Sequence, residues 1–109
     1  MYNVLTGKLI KVLPMMSGTG SKGQWVSRDF IIEYHDGSYT RKARFVCFGE
    51  EKVRLLDGLN IGEIIHVYFL YCSRELNGKW FDRAMVMKME RLMGEPSVGN
   101  DEDFSPDLP

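Results

Sequence analysis

The hydrophobic pattern of this chain changes its period once and then changes back, and that single interruption limits the folds open to it. Between residues 50 and 59, Val53, Leu55, Leu56 and Leu59 are spaced for one face of a short helix. Glu50 and Glu51 precede them, where a helix dipole favours acids, and Gly58 and Gly62 bracket the exit. The flanking segments read as strands. In residues 4–13 the apolar Val4, Leu5, Leu9, Ile10, Val12 and Leu13 interleave with Thr6, Gly7, Lys8 and Lys11, and the internal glycine predicts a bulge or a sharp coil. In residues 24–34, Phe30, Ile32 and Tyr34 share one parity, while Trp25, Ser27, Asp29 and Glu33 share the other. His35-Asp36-Gly37-Ser38 is a hairpin turn into a third strand over residues 39–48. After the helix come strands over residues 63–73 and 79–91, joined by Arg74-Glu75-Leu76-Asn77-Gly78 with its Asn-Gly turn signal.

The resulting order, three strands, a helix and two strands, is that of the OB-fold, an all-β, five-stranded Greek-key barrel. An SH3-like barrel would lack the helix, and a β-sandwich would need more strands. At 109 residues, 44% hydrophobic and 12% aromatic, the chain has material for one core and one domain, expected over residues 1–93. From Gly94 onward, Pro96, Gly99, Pro106 and Pro109 lie among acids with few apolar residues, so residues 94–109 are expected to form a disordered acidic tail. The formal net charge of −1 hides this division. Residues 1–94 carry all 14 Lys and Arg against ten acids, a balance of +4, and residues 95–109 carry five acids and no base. A basic body with an acidic appendage is a cue for nucleic-acid binding.

Several classes are set aside. No apolar run approaches bilayer length, and no leader pattern opens the chain, so a cytoplasmic protein without membrane contact is expected. Cys47 and Cys72 lie in strand-like segments without a CxxC spacing and read as reduced thiols; with His35 and His66 they offer no metal-ligand spacing. The flexible loop Ser17-Gly18-Thr19-Gly20-Ser21-Lys22-Gly23 is no P-loop, because Lys22 precedes Gly23 and a strand follows. No nucleophile, base and orienting group converge, so neither a cofactor nor an enzymatic reaction is expected.

Arg44-Phe45-Val46-Cys47-Phe48-Gly49, followed by the helix and by Ile61-Gly62-Glu63-Ile64-Ile65-His66-Val67, resembles bacterial single-stranded DNA-binding proteins. In that family a third strand ends in an aromatic-glycine pair, and the helix leads to a Gly-x-x-Val-like fourth strand. Ser17-Gly18-Thr19-Gly20, Gln24-Trp25, Phe30, Asn77-Gly78-Lys79-Trp80-Phe81 and Ala84 are similar to a family of short, uncharacterised Bacteroidetes OB-fold proteins described as single-stranded-DNA-binding-like. The resemblance spans roughly residues 4–90. It implies single-stranded DNA binding in replication, recombination or repair, and assembly into a homo-oligomer. It also implies recruitment of replication or repair proteins by an acidic tail tipped Asp-Asp-x-Pro-Phe. Here the last residues are Asp107-Leu108-Pro109, without that Phe, and Phe104 is the tail's one aromatic.

Candidate nucleic-acid-binding residues follow from strand parity. Lys42, Arg44, Val46 and Phe48 share the face opposite to Ala43, Phe45 and Cys47, mixing cations that track phosphates with a ring that stacks on bases. By the resemblance, Phe48 falls on the DNA-contacting aromatic. Trp25 has the parity opposite to Phe30 and Ile32, so it is expected to point away from the core, toward a base or an oligomer interface; Arg28 has core parity. Trp80, with Arg74 and Lys79 beside it, is expected at the mouth of the barrel, or else capping the barrel bottom or packed against Leu76, and Lys22 in the glycine loop completes the set. Met85, Met87 and Met89 alternate as one face of the last strand, in the core or at a subunit interface. A protein-interaction module, whose groove takes a peptide or whose barrel is a subunit of a replication or conjugation assembly, is a second reading, and RNA binding a third.

Overall fold

The computed structural model describes residues 2–92; the acidic segment expected at residues 94–109 lies outside the described residues. Six strands appear: β1 (Asn3–Val12), β2 (Met16–Gly20), β3 (Gly23–Asp36), β4 (Tyr39–Phe48), β5 (Ile64–Leu76) and β6 (Lys79–Arg91). Between β4 and β5 lie α1 (Glu50–Val53) and a 3₁₀ turn over Arg54–Leu56. The sheet order is β1-β5-β6-β4-β3-β2, and an additional β1–β3 pairing closes five of the strands into a barrel. The β4–β6 contact is parallel, at Val46 and Met85, and all other pairings are antiparallel. This is the OB-fold barrel that the order of elements implies, with one strand more than expected.

The additional strand is β2, which occupies the segment read as a flexible loop. It pairs residue for residue with the start of β3, from Met16 opposite Ser27 to Gly20 opposite Gly23. Its glycines are poor strand formers by propensity. They persist here because the Trp25 indole lies over them: a Cβ on Gly18 would come within 2.5 Å of the ring.

The first strand serves two neighbours. Residues from Asn3 to Lys8 pair with β5, and those from Lys8 to Val12 pair with β3. Where β1 passes from one to the other, Gly7 has no room for a side chain, since a Cβ would meet the Glu33 carbonyl oxygen and Ile32 Cγ2 at 2.5 Å. The register shift falls between Leu9 and Lys11, and it returns Val12 to the core side opposite Phe30. The glycine and the bulge are thus neighbouring devices rather than one.

The core is built from Leu9, Phe30, Ile32, Phe45, Cys47, Val53, Leu56, Ile65, Val67 and Val86. Phe45 stacks on Phe30 at 5.6 Å and meets Phe69 edge-on at 4.9 Å. Val53 and Leu56 anchor the helical turn, Leu59 packs beside them, and Leu55 faces outward instead of joining that face. The helix is one α turn tightening into 3₁₀, which rotates Leu55 away. Arg91 at the end of β6 pairs with Glu63 and donates to the Gly58 carbonyl, tying the last strand to the helix exit. In β6 a bulge opposite the Tyr68–Phe69 step leaves Met87 without a partner and switches parity, so Met89 packs against the core while Met85 does not. The three methionines therefore do not form one face.

Candidate nucleic-acid interface

Strands β3 and β4 turn one row of side chains into the barrel and the other outward. Their register sets Ser27 beside Phe48, Asp29 beside Val46, Ile31 beside Arg44 and Glu33 beside Lys42. Directly opposed residues project from the same side of a sheet, so this outer row is a surface shared by both strands. Trp25 extends it. Its indole lies 6.1 Å from the Phe48 ring at an interplanar angle of 22°, and the Arg83 guanidinium from β6 lies over the same ring, 5.9 Å from its centroid. Indole, phenyl and guanidinium form one array in which Phe48 is 42% exposed. Trp25 is only half-buried and points away from the core, as its parity requires.

Local backbone chemistry fixes the array. Gly49 follows Phe48 with φ 93°, a conformation that L side chains rarely adopt, and its N–H donates to the Val26 carbonyl at 2.8 Å. The Gly49 carbonyl then accepts from Val53 N–H at 2.9 Å, starting the helical turn. The aromatic-glycine pair thus ends the strand with the ring outside and the chain turning back over the core.

Beside the array is a groove of about 380 Å³ lined by Leu13, Pro14, Met16, Ser27, Asp29, Arg44, Val46 and Arg83. A second hollow of about 370 Å³ shares Asp29, Arg44, Val46 and Arg83 with it. Val46 is the apolar floor at 9% exposure, so this outward residue is buried after all. Arg44 Nε donates to Asp29 Oδ2 at 2.6 Å, and the arginine side chain stays 66% exposed while the aspartate is 21% exposed. Guanidinium carries five N–H donors, so the pairing orients Arg44 and leaves donors available for a ligand. Arg83 Nε is buried without a hydrogen-bond partner. Arg28, from the core side of β3, donates its Nε to the Leu13 carbonyl at 2.7 Å and is spent on holding the β1–β2 connection.

The expected set divides in space. Trp25, Arg44 and Phe48 come together, with Lys42 one step further along the same face. Lys22 stands exposed in the two-residue β2–β3 turn. Arg74, Lys79 and Trp80 lie on the long β5–β6 hairpin, whose Asn77-Gly78 turn has φ of 53° and 81°. There the register sets Arg74 opposite Phe81 and Lys79 opposite Leu76, whereas Trp80 sits opposite Glu75 on the reverse side. Arg83 and Asp29 were missing from the expected set. Arg83 shares a sequence parity with Met85, Met87 and Met89, which masked it as part of an apolar strip; its signal is that it stands directly opposite Cys72 on the outer side of the hairpin.

This backbone is similar to solved single-stranded DNA-binding proteins. The mitochondrial protein Rim1 of S. cerevisiae aligns with a TM-score of 0.63 at 12% identity, covering 84% of this chain and 95% of that one. The SSB domain of a Synechococcus protein aligns at 0.58 and 9% identity, over 83% and 93% of the two chains. The N-terminal domain of PriB from Thermoanaerobacter tencongensis, described as dimeric, aligns at 0.58 and 18% identity, over 84% and 94%. At such identities the likeness establishes the fold. No curated protein matches the sequence. A family model does match, over residues 4–90, and the chain belongs to that family, described as "Domain of unknown function (DUF3127)".

Proposed function

We propose that this protein binds single-stranded DNA across the outer face of β3 and β4, as a cytoplasmic homo-oligomer and without catalysing a reaction. The observation that carries the reading is the Trp25–Phe48–Arg83 array, a part-exposed aromatic surface beside the guanidinium groups of Arg44 and Arg83. Single-stranded nucleic acid presents flat bases alternating with phosphates, and a stacking ring flanked by cations matches both. A purely apolar partner would leave the Arg83 guanidinium, which makes no ion pair among the described residues, facing no complementary charge. The fold's likeness to proteins named for single-stranded DNA binding supports the same reading.

Titration with oligo(dT) and, in parallel, oligo(rU) tests it through intrinsic tryptophan emission. Trp25 belongs to the array, so stacking on a base should quench its emission and oligo(dT) should bind the tighter. Unchanged emission at micromolar protein and saturating oligonucleotide, with no binding by anisotropy, would overturn the proposal. Tighter binding of oligo(rU) would reassign the surface to RNA.

A further inference from the structure

The β5–β6 hairpin has two faces of opposite character, and their separation goes beyond what a basic, aromatic loop would suggest. From the Phe69–Val86 pair to the turn, the register is unbroken. Phe69 and Val86 face the core, so the pairs Tyr71–Ala84, Ser73–Asp82 and Glu75–Trp80 continue that side beyond the barrel. This inner face carries two acids and no cation. The Asp82 carboxylate is held there by hydrogen bonds from Ser73 and Tyr71, which lower its pKa. The pairs Cys72–Arg83, Arg74–Phe81 and Leu76–Lys79 form the outer face, with three cations and no acid. Phe81 is 51% exposed among them, directly opposite Arg74 and two residues from both Lys79 and Arg83.

Arg83 joins the two surfaces. Its guanidinium covers Phe48 while its backbone belongs to the hairpin, so the outer face of the hairpin continues the β3–β4 array. Two residues along a strand span about 7 Å. That distance fits two successive stacking steps of about 3.4 Å each.

We infer that the nucleic-acid path runs from the Trp25–Phe48–Arg83 array onto the outer face of the hairpin, where Phe81 is a further base-stacking residue and Arg74 and Lys79 contact phosphate. The inference rests on the proposed function and names the course of the ligand across it. Trp80 stands outside the path despite being the larger and more exposed ring, at 67%. Glu75 stands directly opposite it and repels phosphate.

The test compares full-length Phe81→Ala, Trp80→Ala and Phe81→Tyr proteins for binding of a fluorescein-labelled oligo(dT), with circular dichroism melts to verify folding. Loss of one base stack should weaken Phe81→Ala binding about 5- to 150-fold. Trp80→Ala should bind as the parent does, and Phe81→Tyr, which keeps the ring, should restore affinity. In Trp80→Phe, Trp25 is the sole tryptophan, and its fractional quenching should equal or exceed the parent's. Should Phe81→Ala misfold, a Phe81→Trp, Trp80→Phe, Trp25→Phe protein reads the same contact, since its one tryptophan must then be quenched by oligo(dT). If the parent binds and Trp25→Ala weakens it, yet Phe81→Ala is neutral or Trp80→Ala is the damaging change, this path is wrong while the proposed function stands. If the parent itself fails to bind, both fall.

Discussion

Trp25 owes its orientation to residues that have almost no side chain of their own. Its indole rests on Gly18, directly across the β2–β3 pairing, and lies 3.7 Å from where a Cβ on Gly20 would be. Gly18→Ala would place a methyl group 2.5 Å from the ring and force it off Phe48. The barrel core, which this contact does not touch, should survive. The expected result is a fall in oligo(dT) affinity and quenching of about tenfold, within the range of one lost stack, with a thermal midpoint within a few degrees of the parent. Parent-like affinity in a folded Gly18→Ala protein would show that the stacked geometry is dispensable. A second residue-scale expectation concerns Cys47, whose side chain is fully buried in the core. Burial, with the Asp29 charge adding to it, pushes its thiol from 9.0 up to about 12. In the unfolded chain the thiol ionises near its ordinary value, while the folded one stays protonated. The folded state is therefore unaffected below about pH 9 and loses stability above it, by up to about 1.4 kcal/mol per pH unit. Urea unfolding at pH 8 and pH 10 should show that decline, and Cys47→Ala should flatten it.

At the scale of elements, the strands that alternate cleanly were legible in sequence, and so was the break in period that marks the helix. Phe30 and Ile32 point inward and Trp25 outward as their parity requires. What escaped was whatever depended on contacts between elements. The strand β2 could not be read because Ser17-Gly18-Thr19-Gly20 has the composition of a loop; an indole from the neighbouring strand makes it a strand. The bulge at Met87 could not be read either, because parity persists in the sequence while the backbone switches faces. That switch turns Met89 inward and leaves Arg83, four residues before the bulge, on the outer side. Leu55 illustrates the same limit on the helix, since a turn that tightens to 3₁₀ no longer keeps its neighbours on one stripe. For the site, Trp25, Arg44 and Phe48 were legible as outward residues. Their union with Arg83 required the parallel β4–β6 contact, a pairing between residues far apart in sequence.

Across the whole molecule, charge is sorted by face more than by amount. Residues 1–94 hold a surplus of only four positive charges, too few to attract nucleic acid strongly if they were spread evenly. The fold gathers Lys42, Arg44, Arg74, Lys79 and Arg83 on continuous outer surfaces. These five are not equivalent. Arg44 is already paired with Asp29, so it would exchange a protein carboxylate for a phosphate and release few counterions. Among the described residues, Lys42, Arg74, Lys79 and Arg83 make no ion pair. A single-stranded phosphate contact contributes a log–log salt slope of about −0.7, so four free cations predict a slope near −2.8 rather than the −3.5 that five would give. Replacing Arg74 and Lys79 together by alanine should flatten the slope by about 1.4, whereas Asp29→Asn, which frees Arg44, should steepen it by about 0.7. Affinities measured at several salt concentrations for the parent and these two variants decide the matter. A slope that ignores the hairpin cations would mean that the phosphates run elsewhere, and a steeper parent slope would mean that Arg44 leaves its carboxylate when the ligand binds.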